Sequence, residues 1–260
     1  MSHQSFIFSS ETDGFEGYHA LYASGSDVSA TGTPFHARVQ AYRFDRMNVF
    51  ERALSGVEHR RDLPRVRRDG FDHFTLQYLR RGTFHGGALD AERRLSPGDI
   101  ILFDLTRPQR TRLESARTVT VSLSRELVEA ALPEASRYHG QILPEAVSGL
   151  LGDLMGSLAR RAGATPPGSA ASTARALTEL LAGVLGQVTP DDEAAGSVIA
   201  DLRRRRAEVF IEARLNDPSL DVSMVARGAG LSRSALYRLF EPMGGVAQRD
   251  CQDFRVWPGG

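Results

Sequence analysis

The sequence contains no lysine: all 32 of its basic residues are arginine, against 32 acidic residues. That absence excludes a lysine nucleophile, a Schiff base and a phosphate-loop lysine. A single cysteine, Cys251, excludes a disulfide scaffold, a four-cysteine zinc site and a Cys-x-x-Cys redox pair. No apolar run approaches the ~18 residues that cross a bilayer, and no basic-then-apolar leader opens the chain, so a cytoplasmic protein is expected. Net charge is zero, which argues against binding polyanions over the whole surface and leaves room for a local basic site. What is present, 260 residues with 41% apolar content, suffices for one or two globular domains.

Residue types divide the chain more clearly than totals do. All seven histidines (3, 19, 36, 59, 73, 85 and 139) and most aromatic residues precede residue 140. Between residues 34 and 125 apolar residues alternate in short bursts: Phe35, Ala37, Val39 and Ala41; Phe74, Leu76 and Tyr78; a run around Ile100 to Leu105; Val119, Val121 and Leu123. Period two predicts strands. The punctuation, Arg81-Gly82, Gly86-Gly87, Ser96-Pro97-Gly98-Asp99 and Thr106-Arg107-Pro108, has the short spacing of an antiparallel sandwich or barrel.

From Pro144 the period changes to that of a helix. Val147, Leu150, Leu151, Leu154 and Leu158 form one stripe, and Ala170, Ala174, Leu177, Leu181, Val184 and Val188 form a second after a Pro-Gly loop. The pair predicts a helical hairpin whose apolar faces either fold back on the β half or form a dimer interface. Residues 189 to 197 have linker composition.

The end of the chain is basic. Residues 203 to 238 carry eight arginines against four acids, four of them consecutive at Arg203 to Arg206, and the preceding helix is expected to turn Leu202, Val209, Phe210 and Ala213 toward a core. Residues 220 to 240 then have the spacing of a helix-turn-helix. Asp221 caps a first helix, Val222 and Val225 give its buried face, and Ala226 lets two helices approach closely. Gly230 suits the left-handed exit, Leu231 plugs the angle, Ser232 caps the second helix, and Leu236, Leu239 and Phe240 pack inward. Arg233, Ser234, Tyr237 and Arg238 are left facing out, the surface that a recognition helix lays in a major groove.

These residues resemble the AraC/XylS transcription regulators. Asn216 to Leu220, Val225-Ala226, Gly230-Leu231-Ser232, Leu236 to Phe240 and Gly244-Gly245 are similar to the family's first helix-turn-helix, and Leu95 to Asp104, Ser122 to Arg125 and His139-Gly140 to its cupin-like sensor domain. The resemblance implies an α+β protein with double-stranded promoter DNA as partner and a small-molecule effector in the first domain; a homodimer is the option that the apolar faces of the helical hairpin leave open. It implies a cupin-like β-sandwich or barrel over residues 1–141 and a DNA-binding domain over 198–246 holding one helix-turn-helix; periodicity and composition place the helical hairpin over 142–188, the linker at 189–197 and, where the resemblance ends, an irregular tail over 247–260. Ser234, Tyr237 and Arg238 become base-edge readers and Arg233 a phosphate contact, with Leu220, Val225, Ala226, Gly230, Leu231, Ser232, Leu236 and Phe240 as scaffold; packing across the two helices is the other role open to Tyr237.

The family carries a second helix-turn-helix, which this sequence lacks. The change of composition after Gly245 reads as truncation by frameshift or early stop, with a genuine short product the alternative. One unit makes fewer phosphate and base contacts, so DNA binding is expected to need low salt or a dimer. A non-DNA-binding partner or inhibitor of a full-length regulator is the second reading. A cupin-type metal enzyme is a remote third, since His59, His73 and His85, with Asp72 nearby, lack the His-x-His closeness of ligands on one strand face. No catalytic motif stands out, and no metal or cofactor is expected. The arginines at 60–61 and 65–68 are open to two roles, an anion site or a solvated loop.

Overall fold

The computed structural model describes residues 2–9, 14–23, 25–89, 91–188, 207, 209–214, 217 and 220–240. The chain divides into two compact units, Met1–Ala194 and Ala195–Gly260. The expected linker at 189–197, the four arginines at 203–206 and the tail with Cys251 lie outside the described residues.

In the first unit one antiparallel sheet contains nine strands among the described residues: β1 (Ser2–Ser9), β2 (Asp27–Ala30), β3 (His36–Arg43), β4 (Met47–Arg61), β5 (His73–Ala88), β6 (Arg93–Leu95), β7 (Ile100–Asp104), β8 (Gln109–Ser124) and β9 (Ile142–Leu143). The order is β1-β3-β4-β8-β5-β7-β9, with β2 on β4 and β6 on β5. Five α-helices accompany it among the described residues: α1 (Gly14–Tyr22), α2 (Leu63–Asp69), α3 (Arg125–Ala131), α4 (Glu145–Arg161) and α5 (Ala170–Leu185).

Three long strands bend the sheet. β8 lies between β4 and β5 along its length, while each of those two changes partner midway on its other edge: β4 from β3 to β2, β5 from β7 to β6. Glycine sits at both changes with left-handed backbone, Gly56 at φ +66 and Gly82 at φ +98. A Cβ on Gly82 would stand 1.8 Å from the Ser115 carbonyl oxygen, so no side chain fits. The burial phase of β4 also changes at Gly56, with the register to β8 kept: Arg52 and Leu54 are buried before it, Val57, His59 and Arg61 after it. Gly82→Ala is expected to destabilise the unit by about 2 kcal/mol or more, measured by urea unfolding, because it adds both strain and a backbone clash.

Two cores result. On one face of the sheet Val49, Leu76, Val119, Val121 and Leu123 pack with Leu151, Met155, Leu177 and Leu181, so α4 and α5 fold back on the β half. On the other, Leu54, Val57, Leu79, Phe84, Phe103 and Leu113 form an interior cluster with Tyr18 of α1. Leu150 of α4 points away from the first core and is 70% exposed.

In the second unit α6 (Val222–Ala229) and α7 (Arg233–Phe240) are separate helices joined by a tight turn. The Asp221 carboxylate accepts from the Met224 N–H at 2.6 Å, and Gly230 closes α6 at φ +70. The Leu231 N–H reaches back to the Ala226 carbonyl at 2.8 Å and the Gly230 N–H to that of Arg227 at 3.1 Å, the paired bonds of a Schellman turn. Val222, Val225, Ala226, Ala229, Leu236 and Phe240 are buried with Ala207, and Phe210, Ile211, Leu220 and Leu231 pack against them. The phase upstream differs from the expected one. Ala207, Phe210 and Ile211 share the inward face, whereas Val209 is 64% exposed and Ala213 is also exposed.

Candidate functional site

The interior of the first unit holds a cavity of about 430 Å³. Strand alternation builds it. In β8, Val119, Val121 and Leu123 lie in the helix-covered core, while Thr120 and Ser122 between them line the cavity. Thr120 pairs across β5 with Gln77, and Ser122 with Thr75, which places four small polar side chains on one patch of wall. Phe6, Val39, Phe50, Phe71 and Leu105 supply apolar wall.

The cavity is electropositive. Among the described residues its lining includes Arg43, Arg52, Arg61 and His73 and contains no aspartate or glutamate. Arg52 is 8% exposed and donates to neutral oxygens only: Gln77 Oε1 at 3.3 Å, the Tyr22 hydroxyl at 3.4 Å and Thr120 Oγ1. Among the described residues its Nε has no partner, as with the Nε of Arg61 and of Arg65, and neither does Thr75 Oγ1. Behind it the His59 Nε2 and the Tyr18 hydroxyl share a hydrogen bond of 2.7 Å. Burial, reinforced by the Arg52 charge, pushes the His59 pKa down to about 3, so this ring is neutral at physiological pH. Burial raises the Tyr18 phenol well above its ordinary value, and neighbouring Tyr22 adds to the shift. Burial, then Arg61, lowers the His73 pKa.

The arginines at 60–61 and 65–68 divide between two structural roles. Arg61 is fully buried and donates to Asp69 at 2.6 Å, the Leu105 carbonyl at 2.9 Å and the Gly25 carbonyl. Arg65 donates to the Ala23 carbonyl at 2.8 Å and Asp27 at 2.5 Å. Both tie α2 and its flank to the sheet, and Arg60, Arg67 and Arg68 are exposed. The histidines weighed as metal ligands are also dispersed: His59 is engaged by Tyr18, His73 lies at the start of β5 and His85 twelve residues further along it. Among the described residues no group of three or more His, Cys, Asp and Glu is placed to hold a metal.

Arg52, Thr75, Gln77 and Thr120 are not marked by any motif in the sequence, and Ser122 enters only as part of the Ser122–Arg125 resemblance. The available signal was the polar partner in each apolar alternation, such as Thr118-Val119-Thr120-Val121-Ser122.

In the second unit Arg233, Ser234 and Tyr237 are exposed on α7, Tyr237 at 36%, with Leu236 and Phe240 buried on the opposite face. Tyr237 stands outside the apolar cluster. Ser232 Oγ accepts from the Ala235 N–H at 3.2 Å, the bond of an N-cap. Arg238 lies on α7, but its side chain and that of Leu239 are outside the described residues.

A family model, the AraC-binding-like domain, matches residues 20–186, which include most of the sheet, most of the cavity wall and both helices of the hairpin. The chain belongs to the AraC-binding-like domain family. In this family member the match ends within two residues of the last turn of α5, so the hairpin is part of the domain. Among solved structures the AraC-like transcriptional activator CuxR is similar over 94% of this chain and 90% of its own, with a TM-score of 0.68 and 21% identity; that likeness shows the fold. The EutQ protein of Clostridium difficile (36% and 68% of the two chains, 12% identity, TM-score 0.28) and the cupin domain of an XRE family transcriptional regulator from Enterobacter cloacae (34% and 95%, 12%, 0.29) are similar over about a third of this chain. No curated protein sequence matches the chain. No described helix is long and apolar enough to cross a membrane.

Proposed function

We propose that the chain is an AraC-type transcription regulator that binds double-stranded DNA sequence-specifically through α6 and α7 and senses a small molecule in the cavity of its AraC-binding-like domain. The carrying observation is the arrangement of α7: capped by Ser232 and set off from α6 by the left-handed Gly230, it presents Arg233, Ser234 and Tyr237 outward over a buried Leu236–Phe240 seam. A helix held this way, N-terminus forward with short polar and basic side chains outward, matches the recognition element of a helix-turn-helix. Family membership and the residues of this segment support the same reading.

Ser234, Tyr237 and Arg238 are assigned to base edges and Arg233 to a phosphate. The assignments separate in a titration. Arg238→Ala is expected to weaken binding to the specific duplex by about 5- to 150-fold, the cost of one bidentate guanine contact, while leaving non-specific DNA binding nearly unchanged. Arg233→Ala is expected to weaken binding to all duplexes alike and to lower the salt slope by about 1. Fluorescence anisotropy across a salt series checks both; loss of specificity on removing Arg233 rather than Arg238 would reverse the roles. With one such unit per chain in the described residues, a monomer is expected to bind weakly, and a homodimer presenting two recognition helices to recover affinity.

A further inference from the structure

We propose that the cavity of the first unit is a site for a small organic monocarboxylate, with Arg52 as the residue that takes the carboxylate. This deepens the regulator reading and rests on it for what binding accomplishes, while the binding itself is testable without DNA.

Three arginines are buried among the described residues, and two of them have an acid: Arg61 pairs with Asp69 and Arg65 with Asp27. Arg52 has no carboxylate partner among the described residues, and none lines the cavity it enters. A buried guanidinium without a counter-charge is costly, because neutral oxygens replace only part of the water it lost. Proteins retain such a group where a ligand supplies the missing charge, and its retention here marks the spot. The unpartnered Arg52 Nε and Thr75 Oγ1 are buried donors that the protein's own acceptors do not satisfy.

Charge arithmetic selects a monoanion. Arg61 is neutralised by Asp69, His59 is held uncharged, and Arg43 is exposed to solvent. One charge remains uncompensated inside among the described residues, so the second charge of a dianion such as hydrogen phosphate would find no cation there to pair with. A planar carboxylate also matches the fork of a guanidinium. The rest of the ligand is apolar, since Phe6, Phe50, Phe71 and Leu105 also line the cavity. A volume near 430 Å³ lies at the small end of the range of ligand pockets.

The test is calorimetric titration of the full chain with 3-phenylpropanoate and with hexanoate, each beside its primary amide, and with inorganic phosphate. The expected result is that at least one acid binds, that its amide binds about 30-fold or more weakly, and that equimolar phosphate does not displace it. Arg52→Gln is expected to weaken acid binding about 100-fold, to leave any amide binding unchanged, and to raise Tm by about 2 °C or more as an unpaired buried charge is removed. The proposal is overturned if both acids fail to bind, if acid and amide bind alike, if phosphate displaces the acid, or if a folded R52Q chain binds the acid as the unmodified chain does. Should R52Q not melt cooperatively, the comparison of acid with amide on the unmodified chain decides. Acid binding that leaves DNA affinity unchanged would preserve this inference and remove the sensing half of the regulator reading; DNA binding without acid binding would do the reverse.

Discussion

Replacing Asp104 by alanine is expected to lower the melting temperature of the first unit by about 6–20 °C, corresponding to about 3–5 kcal/mol for a buried ion pair broken from one side. Asp104 closes β7 and is 1% exposed. Its Oδ1 accepts from the Thr106 N–H at 2.9 Å, the Thr106 hydroxyl at 2.7 Å and Arg125, and its Oδ2 accepts from the Ser136 hydroxyl at 2.6 Å. Burial by itself raises the carboxyl pKa; the bonds from Ser136, Thr106 and Arg125 more than reverse it, so the group is ionised when folded. Alanine would strand the Ser136 hydroxyl and part of the Arg125 guanidinium, which also lies over the Phe74 ring at 4.6 Å. Because Arg125 begins α3, the damage is expected to spread to that helix and its packing against α5. Asp104→Asn, keeping shape and some bonds, is expected to cost about half as much. Thermal unfolding by circular dichroism measures both; a shift of under about 2 °C for the alanine variant would mean that the network adds little.

Acid is expected to unfold the same unit well before its carboxylates titrate. His59 and His139 are both buried neutral, at about pKa 3 and about 4. For His139 the causes are burial, then the Arg107 charge; its Nδ1 accepts from the Asp104 N–H at 3.1 Å while its Nε2 donates to the Pro108 carbonyl at 2.9 Å, so a second proton has no acceptor. Both folded pKa values lie below the unfolded value of about 6.5, so the unfolded state binds more protons between the two limits. Stability is therefore fully present above about pH 6.5 and is lost as pH falls from there toward 3–4. At about 1.4 kcal/mol per pH unit and group, the two rings together remove roughly 5 kcal/mol between pH 7 and pH 4.5, comparable to the whole stability of many domains. Urea unfolding across that range is expected to show the decline, with His59→Gln and His139→Gln each flattening the slope by about 1.4 kcal/mol per pH unit. A flat profile from pH 7 to 5 would show that neither ring is buried uncharged.

Local pattern made some elements legible and left others hidden. The alternation of Phe35 to Ala41 is β3 and its approach, that of Val119 to Leu123 is the end of β8, and the stripes from Val147 and Ala170 are α4 and α5. These segments bury one regular face, which is what a period reports. The pairing of β4 with β8 joins residues some 50 to 80 positions apart, as at Arg61↔Gln109 and Met47↔Leu123, and no local period records it. Nor does a period show that Gly56 and Gly82 bend one sheet around an interior, where a sandwich of two sheets fits the same alternation.

The cavity was hidden for a related reason. In a strand with one wet face, polar alternates point to solvent; in a sheet curled around a cavity they point inward, and the two cases have the same sequence. Arg52, set among Asn48, Phe50 and Leu54, reads as a surface residue until the fold turns that face to the inside. In the second unit the reverse holds. The turn residues Asp221, Gly230 and Ser232 act within a few positions of themselves, through a cap, a left-handed exit and a second cap, so the spacing alone announces the geometry.

Sequence-specific DNA recognition is the centre of this account, and selection from a random duplex pool tests it most directly. The full chain, incubated with the pool at low salt and sequenced after several rounds, is expected to enrich a single short motif, and Arg238→Ala is expected to enrich a motif relaxed at one base pair. A pool left as random as it began, with the unmodified chain folded and no motif enriched at any salt concentration, would contradict it.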